Sequence, residues 1–168
     1  MKKLLLLLCL LLPVVVFAQT KKQGSIENLN ANPCFGGFVL GDSITHYLTR
    51  LEPVEELGNG GFKCEATDRD NFDYRLRSVS PISVYVTVEK HRIKNIYAVY
   101  PYGNSNDIIA GLMDNYGNYS AYSNGSYNWY GKDIFVMSGT NGNKTSYVIY
   151  SYVSPCLLYT SPSPRDRG

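Results

Sequence analysis

The residues best placed to do chemistry lie at positions 41–45, a Gly-Asp-Ser-Ile-Thr run that directly follows a short apolar run. A serine at the turn from a strand into a helix can act as a nucleophile, because backbone N–H groups at that turn can hold an oxyanion. Such a serine needs a base within hydrogen-bond reach, and the chain has two histidines, His46 and His91. The alternative is that Asp42 and Ser43 cap a helix.

Residues 41–45 resemble the first sequence block of the SGNH (GDS-motif) lipases and esterases, and the resemblance implies Ser43 as the nucleophile. Residues 103–107 are similar to the later Gly-x-Asn-Asp block of that family, which implies Asn106 as an oxyanion donor. This second run is one residue longer than the block, and the terminal Asp-x-x-His of the family is absent. An SGNH-type serine esterase is therefore the alternative function.

Tyrosine provides a second candidate surface, since eleven of the fifteen tyrosines fall between residues 97 and 152. Tyrosine and tryptophan offer broad amphipathic surface at small entropic cost, which suits the binding of a protein or a glycan. The candidates flank one predicted hairpin and are Tyr119, Tyr122, Tyr127, Trp129 and Tyr130. Aromatic residues are also ordinary strand formers, so the alternative is that part of this set packs in the core.

The titratable residues form no recognisable metal motif. An acidic cluster lacks the glycine and the terminal glutamate of an EF-hand loop, which favours a solvated turn. Its members are Glu65, Asp68, Asp70 and Asp73. The two histidines are too isolated to bind zinc. The sequence therefore predicts no metal and no other cofactor, and the net charge of +2 argues against a nucleic-acid partner.

Residues 1–18 have the pattern of a secretory signal peptide, with two lysines, an apolar run and Ala18 at its end. The apolar run of about fourteen residues is shorter than the roughly twenty that cross a bilayer, and Pro13 interrupts it. We therefore expect cleavage before Gln19, a secreted or periplasmic product and no transmembrane anchor. The signal is similar to those of Bacteroidetes.

The C-terminal residues 156–168 are predicted to be foreign to the gene. Residues 156–166 match the translation of a transposase mosaic-end sequencing adapter residue for residue. On this interpretation the native sequence runs from Gln19 to Pro155, with 137 residues and a net charge of −1, and its true C-terminus is missing.

Two of the four cysteines, Cys34 and Cys64, lie within this native range. An even pair in an oxidising compartment predicts a disulfide. The bridge would close a loop of about thirty residues and stabilise the fold by roughly 3–4 kcal/mol. Two buried free thiols are the alternative.

The segments that must position these residues begin with a turn-rich stretch at 19–33, which predicts a polar linker. A first helix can begin at Asp42 or Ser43 and end before Pro53. Its apolar side follows helical spacing and comprises Ile44, Tyr47, Leu48 and Leu51. The short apolar run at 38–40 predicts a strand in front of it.

A second helix is predicted from the N-cap Ser105 to Gly117, a residue type common at C-caps. Its apolar stripe comprises Ile108, Ile109, Leu112, Met113 and Tyr116. Alternation and β-branched content predict strands at 72–77, 82–88, 93–100, 134–137 and 145–152. Asn124-Gly125 predicts a two-residue hairpin turn.

Together these elements predict an α+β fold of two short helices packed on one face of a mostly antiparallel sheet, in a single domain over 34–155. A Gly-x-Ser start at 41–43 recurs at 103–105, which indicates either a tandem α-then-β repeat or a chance similarity. These helix starts, the helix end at Tyr116-Gly117 and the Trp129 strand loosely resemble β-lactamase-inhibitor-like proteins and the related small outer-membrane assembly lipoproteins. The resemblance implies a non-catalytic secreted or periplasmic module that presents a sheet face to a protein partner.

Overall fold

The computed structural model describes residues 24–67, 74–142 and 144–153. The predicted signal peptide, the predicted adapter segment and the start of the linker lie outside these described residues. Within them the protein is an α+β structure built on antiparallel strands, so the predicted fold class is confirmed.

Within the described residues, the helical elements are two α-helices and two 3-10 segments. They are α1 (Ile26–Ala31), α2 (Ser105–Tyr116), the 3-10 helix Ile44–Arg50 and the short 3-10 turn Gly58–Gly60. The strands are β1 (Cys34–Phe35), β2 (Phe38–Val39), β3 (Leu51–Leu57), β4 (Gly61–Ala66), β5 (Ser83–Glu89), β6 (Arg92–Pro101), β7 (Ala121–Ser123), β8 (Ser126–Tyr130), β9 (Ile134–Asn141) and β10 (Thr145–Tyr152).

Eight of the strands form one sheet, in the order β3-β4-β5-β6-β10-β9-β8-β7. This order consists of two four-stranded meanders, β3 to β6 and β7 to β10, which join edge to edge through antiparallel pairing of their last strands. The 3-10 helix Ile44–Arg50 precedes the first meander and α2 precedes the second. A helix followed by four strands therefore occurs twice along the chain.

One face of this sheet, which we call the covered face, carries the core. Its side chains line up across both meanders and are buried, and they include Val84, Val86, Ile96, Ala98, Val148, Tyr150, Val136 and Trp129. Trp129 Nε1 donates a hydrogen bond to the carbonyl of Gly117, at the end of α2, over 2.9 Å. The Phe35 ring of β1 stacks on Tyr150 with 4.9 Å between ring centroids. Both α2 and the β1–β2 hairpin therefore contact this face.

Two tight hairpin turns fix the register of the strands. Asn124 and Gly125 both have positive φ angles, of 51° and 75°, as a type I′ turn requires. This confirms the predicted hairpin, and Ser123 pairs with Ser126 across it. Lys90 and His91 form the β5–β6 turn with φ angles of 50° and 62°, although neither is a glycine.

The first predicted helix exists but has a different period. Residues Ile44–Arg50 form a 3-10 helix, in which side chains three positions apart lie on one side. Ile44 and Tyr47 are accordingly buried, whereas Leu48, which an α-helix would also bury, is 62% exposed. The chain leaves this helix directly into β3, which the sequence pattern did not predict.

Two other segments also depart from the predictions. The predicted polar linker contains α1, whose Leu29 is fully buried and packs in the core, so the linker prediction is wrong for this part. The predicted strand at 72–77 is not a strand in its described part, where Leu76 and Val79 form a single bridge. Apolar side chains thus tie irregular segments to the covered face.

The second helix matches its predicted span, with one change at its start. Asn104, rather than Ser105, is the N-cap residue, and Ser105 Oγ instead lies 2.8 Å from Ser146 Oγ on β10. Ile108 and Leu112 are fully buried, as the predicted stripe requires. Gly117 ends the helix with a φ of 77°.

The predicted disulfide is absent, and Cys34 and Cys64 are both free thiols. Cys64 lies three strands away from Tyr150 in the same row of the sheet, or roughly 14 Å at about 4.8 Å per strand. Cys34 is next to Phe35, which stacks on Tyr150. A disulfide requires Cα atoms within about 7 Å, so sheet register keeps the two thiols apart.

The two edges of the sheet are poor templates for a further strand. Edge strand β3 contains Pro53, an irregularity between Pro53 and Glu55, and exposed glutamates. The opposite edge, β7, has only three residues. Proline, bulges, charges and short strands all disfavour pairing with a further strand.

Candidate functional site

The second face of the sheet, which we call the open face, carries apolar and aromatic side chains that alternate with those of the core. Its larger apolar members are Tyr85, Tyr97, Val99, Tyr147, Ile149, Met137, Phe135 and Tyr130. Tyr130 is half-exposed and the other seven are half-buried. Their ring contacts are with one another and with a lysine of the same face, and none is to a described helix.

Three of these residues form a line across adjacent strands, which we call the tyrosine row. The rings of Tyr85 on β5 and Tyr97 on β6 have centroids 6.4 Å apart and planes 31° apart. The rings of Tyr97 and Tyr147 on β10 are 6.0 Å and 27° apart. The plane of each ring therefore lies within about 30° of its neighbour's. Tyr85 and Tyr97 are in register, whereas the partner of Tyr97 on β10 is Ile149, two positions from Tyr147, so the row crosses the strands obliquely.

Tyr147 lies across the sheet because the adjacent strand has a glycine beneath it. Its hydroxyl is 3.3 Å from Ser126 Oγ on β8, two strands away from its own backbone. A Cβ added to Gly139, on the intervening strand β9, would lie 2.6 Å from that hydroxyl. Only a residue without a side chain at position 139 leaves room for this ring orientation.

Polar side chains accompany the tyrosine row along one side. Lys63, Thr87, Asn95 and Ser151 occupy neighbouring positions on β4, β5, β6 and β10 and point to the open face. Asn95 Nδ2 donates to Thr87 Oγ1 over 2.7 Å, which leaves the amide oxygen of Asn95 able to accept. The Lys63 ammonium lies 4.3 Å from the Tyr85 ring centroid, so a cation marks the β4 end of the row.

The centre of the open face is uncharged at neutral pH. Burial raises the pKa of Tyr97, and the neighbouring Tyr147 and Tyr85 contribute to the same shift. Its phenol therefore stays neutral well above physiological pH and can donate and accept hydrogen bonds. Glu65, in register with Tyr85, and Lys63 are the charged residues beside the row on β4.

The five hairpin aromatics predicted from the sequence do not share one surface. Trp129 is fully buried on the covered face and is part of the core. The rings of Tyr119, Tyr122 and Tyr127 cluster on the same side of the sheet as Trp129, with Tyr122 and Tyr127 centroids 4.8 Å apart. Tyr130 alone points to the open face, where it stacks on Phe135 at 5.2 Å. The prediction of a single binding surface on this hairpin is therefore wrong in its residues.

The Gly-Asp-Ser segment forms a helix cap. Ser43 is the N-cap of the 3-10 helix, and its Oγ accepts a hydrogen bond from the Thr45 backbone N–H. The Asp42 carboxylate accepts from the Tyr47 hydroxyl over 2.8 Å and lies 3.1 Å from His46 Nδ1. Hydrogen bonds from His46, Tyr47 and the Ser43 backbone lower the pKa of Asp42. His46 thus pairs with the carboxylate rather than with the Ser43 hydroxyl.

Ser43 and Asn106, the predicted nucleophile and oxyanion donor, lie at opposite ends of β6. Ser43 forms a bridge with Arg92 at the start of this strand, whereas Asn106 follows its end at Pro101. A strand of ten residues is roughly 30 Å long, so the two side chains do not form one site. The Ser43 hydroxyl contacts the Thr45 backbone N–H and Thr45 Oγ1, which fits the capping alternative.

The described residues contain neither a metal cluster nor a membrane-crossing helix. Their His, Cys, Asp and Glu side chains do not gather in groups of three that could hold an ion. Asp68, Asp70 and Asp73 of the predicted solvated turn lie outside the described residues. Helices long and apolar enough to cross a bilayer are also absent from the described part of the chain.

A shallow cavity of about 650 Å³ lies at the end of the β3–β4 hairpin. Its lining includes Val54, Glu55, Glu56 and Phe62, none of which was a predicted site residue.

Comparisons of the chain with protein-family models, curated proteins and solved structures found no match. The two family resemblances inferred from the sequence therefore stay predictions.

The tyrosine row does not stand out in the sequence, because its strands carry apolar residues on both faces. In β5 the core positions Val84 and Val86 flank Tyr85, and in β10 Val148 and Tyr150 alternate with Tyr147 and Ile149. Such strands are usually covered on both sides. The available signal for the open face was an aromatic residue, in several strands, at positions that alternate with the core residues.

Proposed function

We propose that this protein is an exported, non-catalytic binding module whose ligand-binding surface is the open face. The observation that carries the proposal is a set of aromatic and aliphatic side chains that are half-buried by one another and lack a covering element among the described residues. Soluble proteins rarely leave contiguous apolar patches of more than a few hundred Å² exposed, and larger ones mark interaction sites.

The size and composition of the face support this proposal. From Lys63 on β4 to Tyr130 on β8 the face crosses five strand spacings, or roughly 24 Å at about 4.8 Å each. Tyrosine, phenylalanine and methionine are enriched in interfaces, and charged residues are depleted at interface centres. On the open face the charged side chains of β4 stand at one end, beside Tyr85.

Export is supported by the signal-like pattern at residues 1–18. A module in the periplasm or outside the cell has envelope proteins and glycans as its potential ligands.

The test is co-sedimentation of the purified protein with cell-envelope material from a bacterium of the Bacteroidetes type. We expect the wild-type protein to sediment with this material and the Tyr97→Ala variant to remain in solution.

The mass of the secreted product checks cleavage before Gln19. A fluorophosphonate probe checks the esterase alternative, since labelling of Ser43 would contradict a non-catalytic role.

A further inference from the structure

The tyrosine row has the shape of a strip rather than of a round patch. Its three rings lie on consecutive strands of the sheet order, β5, β6 and β10, with spacings of 6.4 and 6.0 Å. Because Tyr147 crosses Gly139 to reach Ser126, its ring lies along the surface and its neighbours follow its orientation within about 30° each. A linear ligand that crosses the strands obliquely can contact all three rings in turn.

The geometry points to a linear, uncharged glycan as the ligand of this row. This inference rests on the proposed binding function of the open face. A sugar ring has an apolar side of C–H groups, and aromatic faces carry partial negative charge that attracts such weakly positive hydrogens. Nearly parallel tyrosine rings at a regular spacing therefore match the successive C–H faces of a sugar chain.

The polar side chains next to the row supply what the hydroxyl groups of a glycan need. Thr87, Asn95 and Ser151 stand two positions along their strands from Tyr85, Tyr97 and Ile149, on the same face. Hydroxyl and amide groups can both donate to and accept from sugar hydroxyls. An apolar strip with polar side chains beside its β5 and β6 members matches the two kinds of surface that one sugar chain presents.

The distribution of charge favours a neutral glycan over a charged ligand. The row itself, from Tyr85 to Tyr147, carries no ionised group at neutral pH, and the Lys63 ammonium lies against the Tyr85 ring. An anionic polymer would need cations along its length. A protein partner remains the competing occupant, because tyrosine and methionine also suit protein interfaces.

The first experiment is native affinity electrophoresis in gels that each contain one soluble neutral polysaccharide, namely β-glucan, xylan or glucomannan. We expect at least one polysaccharide to retard the wild-type protein, and Tyr97→Ala to weaken this binding about tenfold or more. Tyr97→Phe, which keeps the ring, should bind within about twofold of wild type. Retardation by none of the three polysaccharides would overturn the inference.

Tyr122→Ala is the matched control, since Tyr122 is an exposed tyrosine on the other side of the sheet. It should bind like the wild type, and equal losses in Tyr97→Ala and Tyr122→Ala would also overturn the inference. Thermal unfolding of each variant confirms that it is folded. Because Tyr97→Phe keeps the ring, its failure to bind in a folded protein would also contradict ring stacking.

The second experiment separates the ligand class from the binding function. Envelope material is treated with protease, which removes proteins, or with periodate, which oxidises sugar diols, before co-sedimentation. Loss of binding after periodate only supports the glycan. Loss after protease only overturns the glycan and leaves the proposed function intact, whereas no binding to untreated material contradicts both.

Discussion

The two faces of the eight-stranded sheet are built from the same strands, yet the described helices and hairpins cover only one of them and form a core there. On β8 Trp129 is fully buried against the end of α2, while the next residue, Tyr130, is 50% exposed on the open face. On β10 Tyr150 is buried under Phe35, while Tyr147 lies in the tyrosine row. Residue type alone therefore does not decide which aromatic side chain stabilises the fold and which is available to a ligand. The elements that cover a face of the sheet decide it.

The largest expected effect concerns the core. Trp129→Ala should lower the free energy of unfolding by about 3–5 kcal/mol, because it leaves a large cavity and removes the hydrogen bond to the Gly117 carbonyl. The neighbouring Tyr130→Ala should change it by less than about 1 kcal/mol, since half of that side chain is already in water. Urea unfolding followed by far-UV circular dichroism measures both. Similar losses in the two variants would contradict the assignment of the faces.

A second expected difference is in thiol reactivity. Cys64 is 3% exposed on the covered face, and burial raises its pKa, whereas Cys34 is half-buried. A thiol reacts as its thiolate, so we expect alkylation of Cys64 at neutral pH to be at least about 100-fold slower than that of Cys34. Peptide mapping by mass spectrometry measures each rate, with urea-unfolded protein as the control.

The same peptide map tests the absence of the disulfide. Under non-reducing conditions each cysteine should be found in its own peptide, because the sheet register keeps the two thiols apart. A cross-linked peptide that contains Cys34 and Cys64 would show that the register of β4 or the position of β1 is wrong.

The segments that the sequence predicted correctly are those with strong local signals. The apolar stripe of α2, the Asn124-Gly125 turn and the alternation in β10 each specify their structure within a few residues. The 3-10 period of the first helix and strand β3 were missed because apolar spacing does not show that Leu51, assigned to the helix, pairs with Ala66 on β4. The predicted disulfide failed for the same reason, since two cysteines in one chain do not reveal how many strands separate them.

The sequence predicted the kind of candidate site but not its residues. An aromatic sheet surface was expected, but the parity within each strand, rather than the clustering of tyrosines along the chain, determines its members. Tyr127 and Tyr130 belong to one hairpin and point to opposite sides, because side chains three positions apart in a strand lie on different faces. Tyr85 and Tyr147 are distant in sequence and share a face through two intervening strand pairings.

A smaller effect is expected from the hydroxyl of Tyr150. This oxygen is buried and makes no hydrogen bond of good geometry with a described group, although the Tyr116 ring is next to it. Tyr150→Phe should therefore raise the free energy of unfolding by about 1 kcal/mol, since an unsatisfied buried polar group is costly. Tyr147→Phe on the open face should change it by less, because that hydroxyl is near Ser126 and half-accessible.

The pH dependence of the same variant provides a second measurement. Burial raises the pKa of Tyr150 well above its ordinary value of 10.0. Because the unfolded chain ionises first, this tyrosine leaves the stability unchanged below pH 10 and lowers it as the pH rises from 10 towards the raised pKa. We expect thermal unfolding above pH 10 to fall less steeply in Tyr150→Phe than in the wild type. Equal slopes would place this hydroxyl in contact with solvent.

The smallest effect on stability, with a large effect on binding, is expected from Gly139→Ala. The added Cβ would lie 2.6 Å from the Tyr147 hydroxyl and 2.8 Å from Ser126 Oγ, so the tyrosine ring must move away from β9. Because the contact is with the far end of a flexible side chain, unfolding should become easier by less than about 1 kcal/mol. The row would lose its third ring, and polysaccharide retardation should decrease about tenfold. Gly58→Ala, where an added Cβ meets no atom within 4 Å, is the control. A folded Gly139→Ala variant with unchanged binding would show that the ligand does not need Tyr147, and it would limit the row to the strands of the first meander.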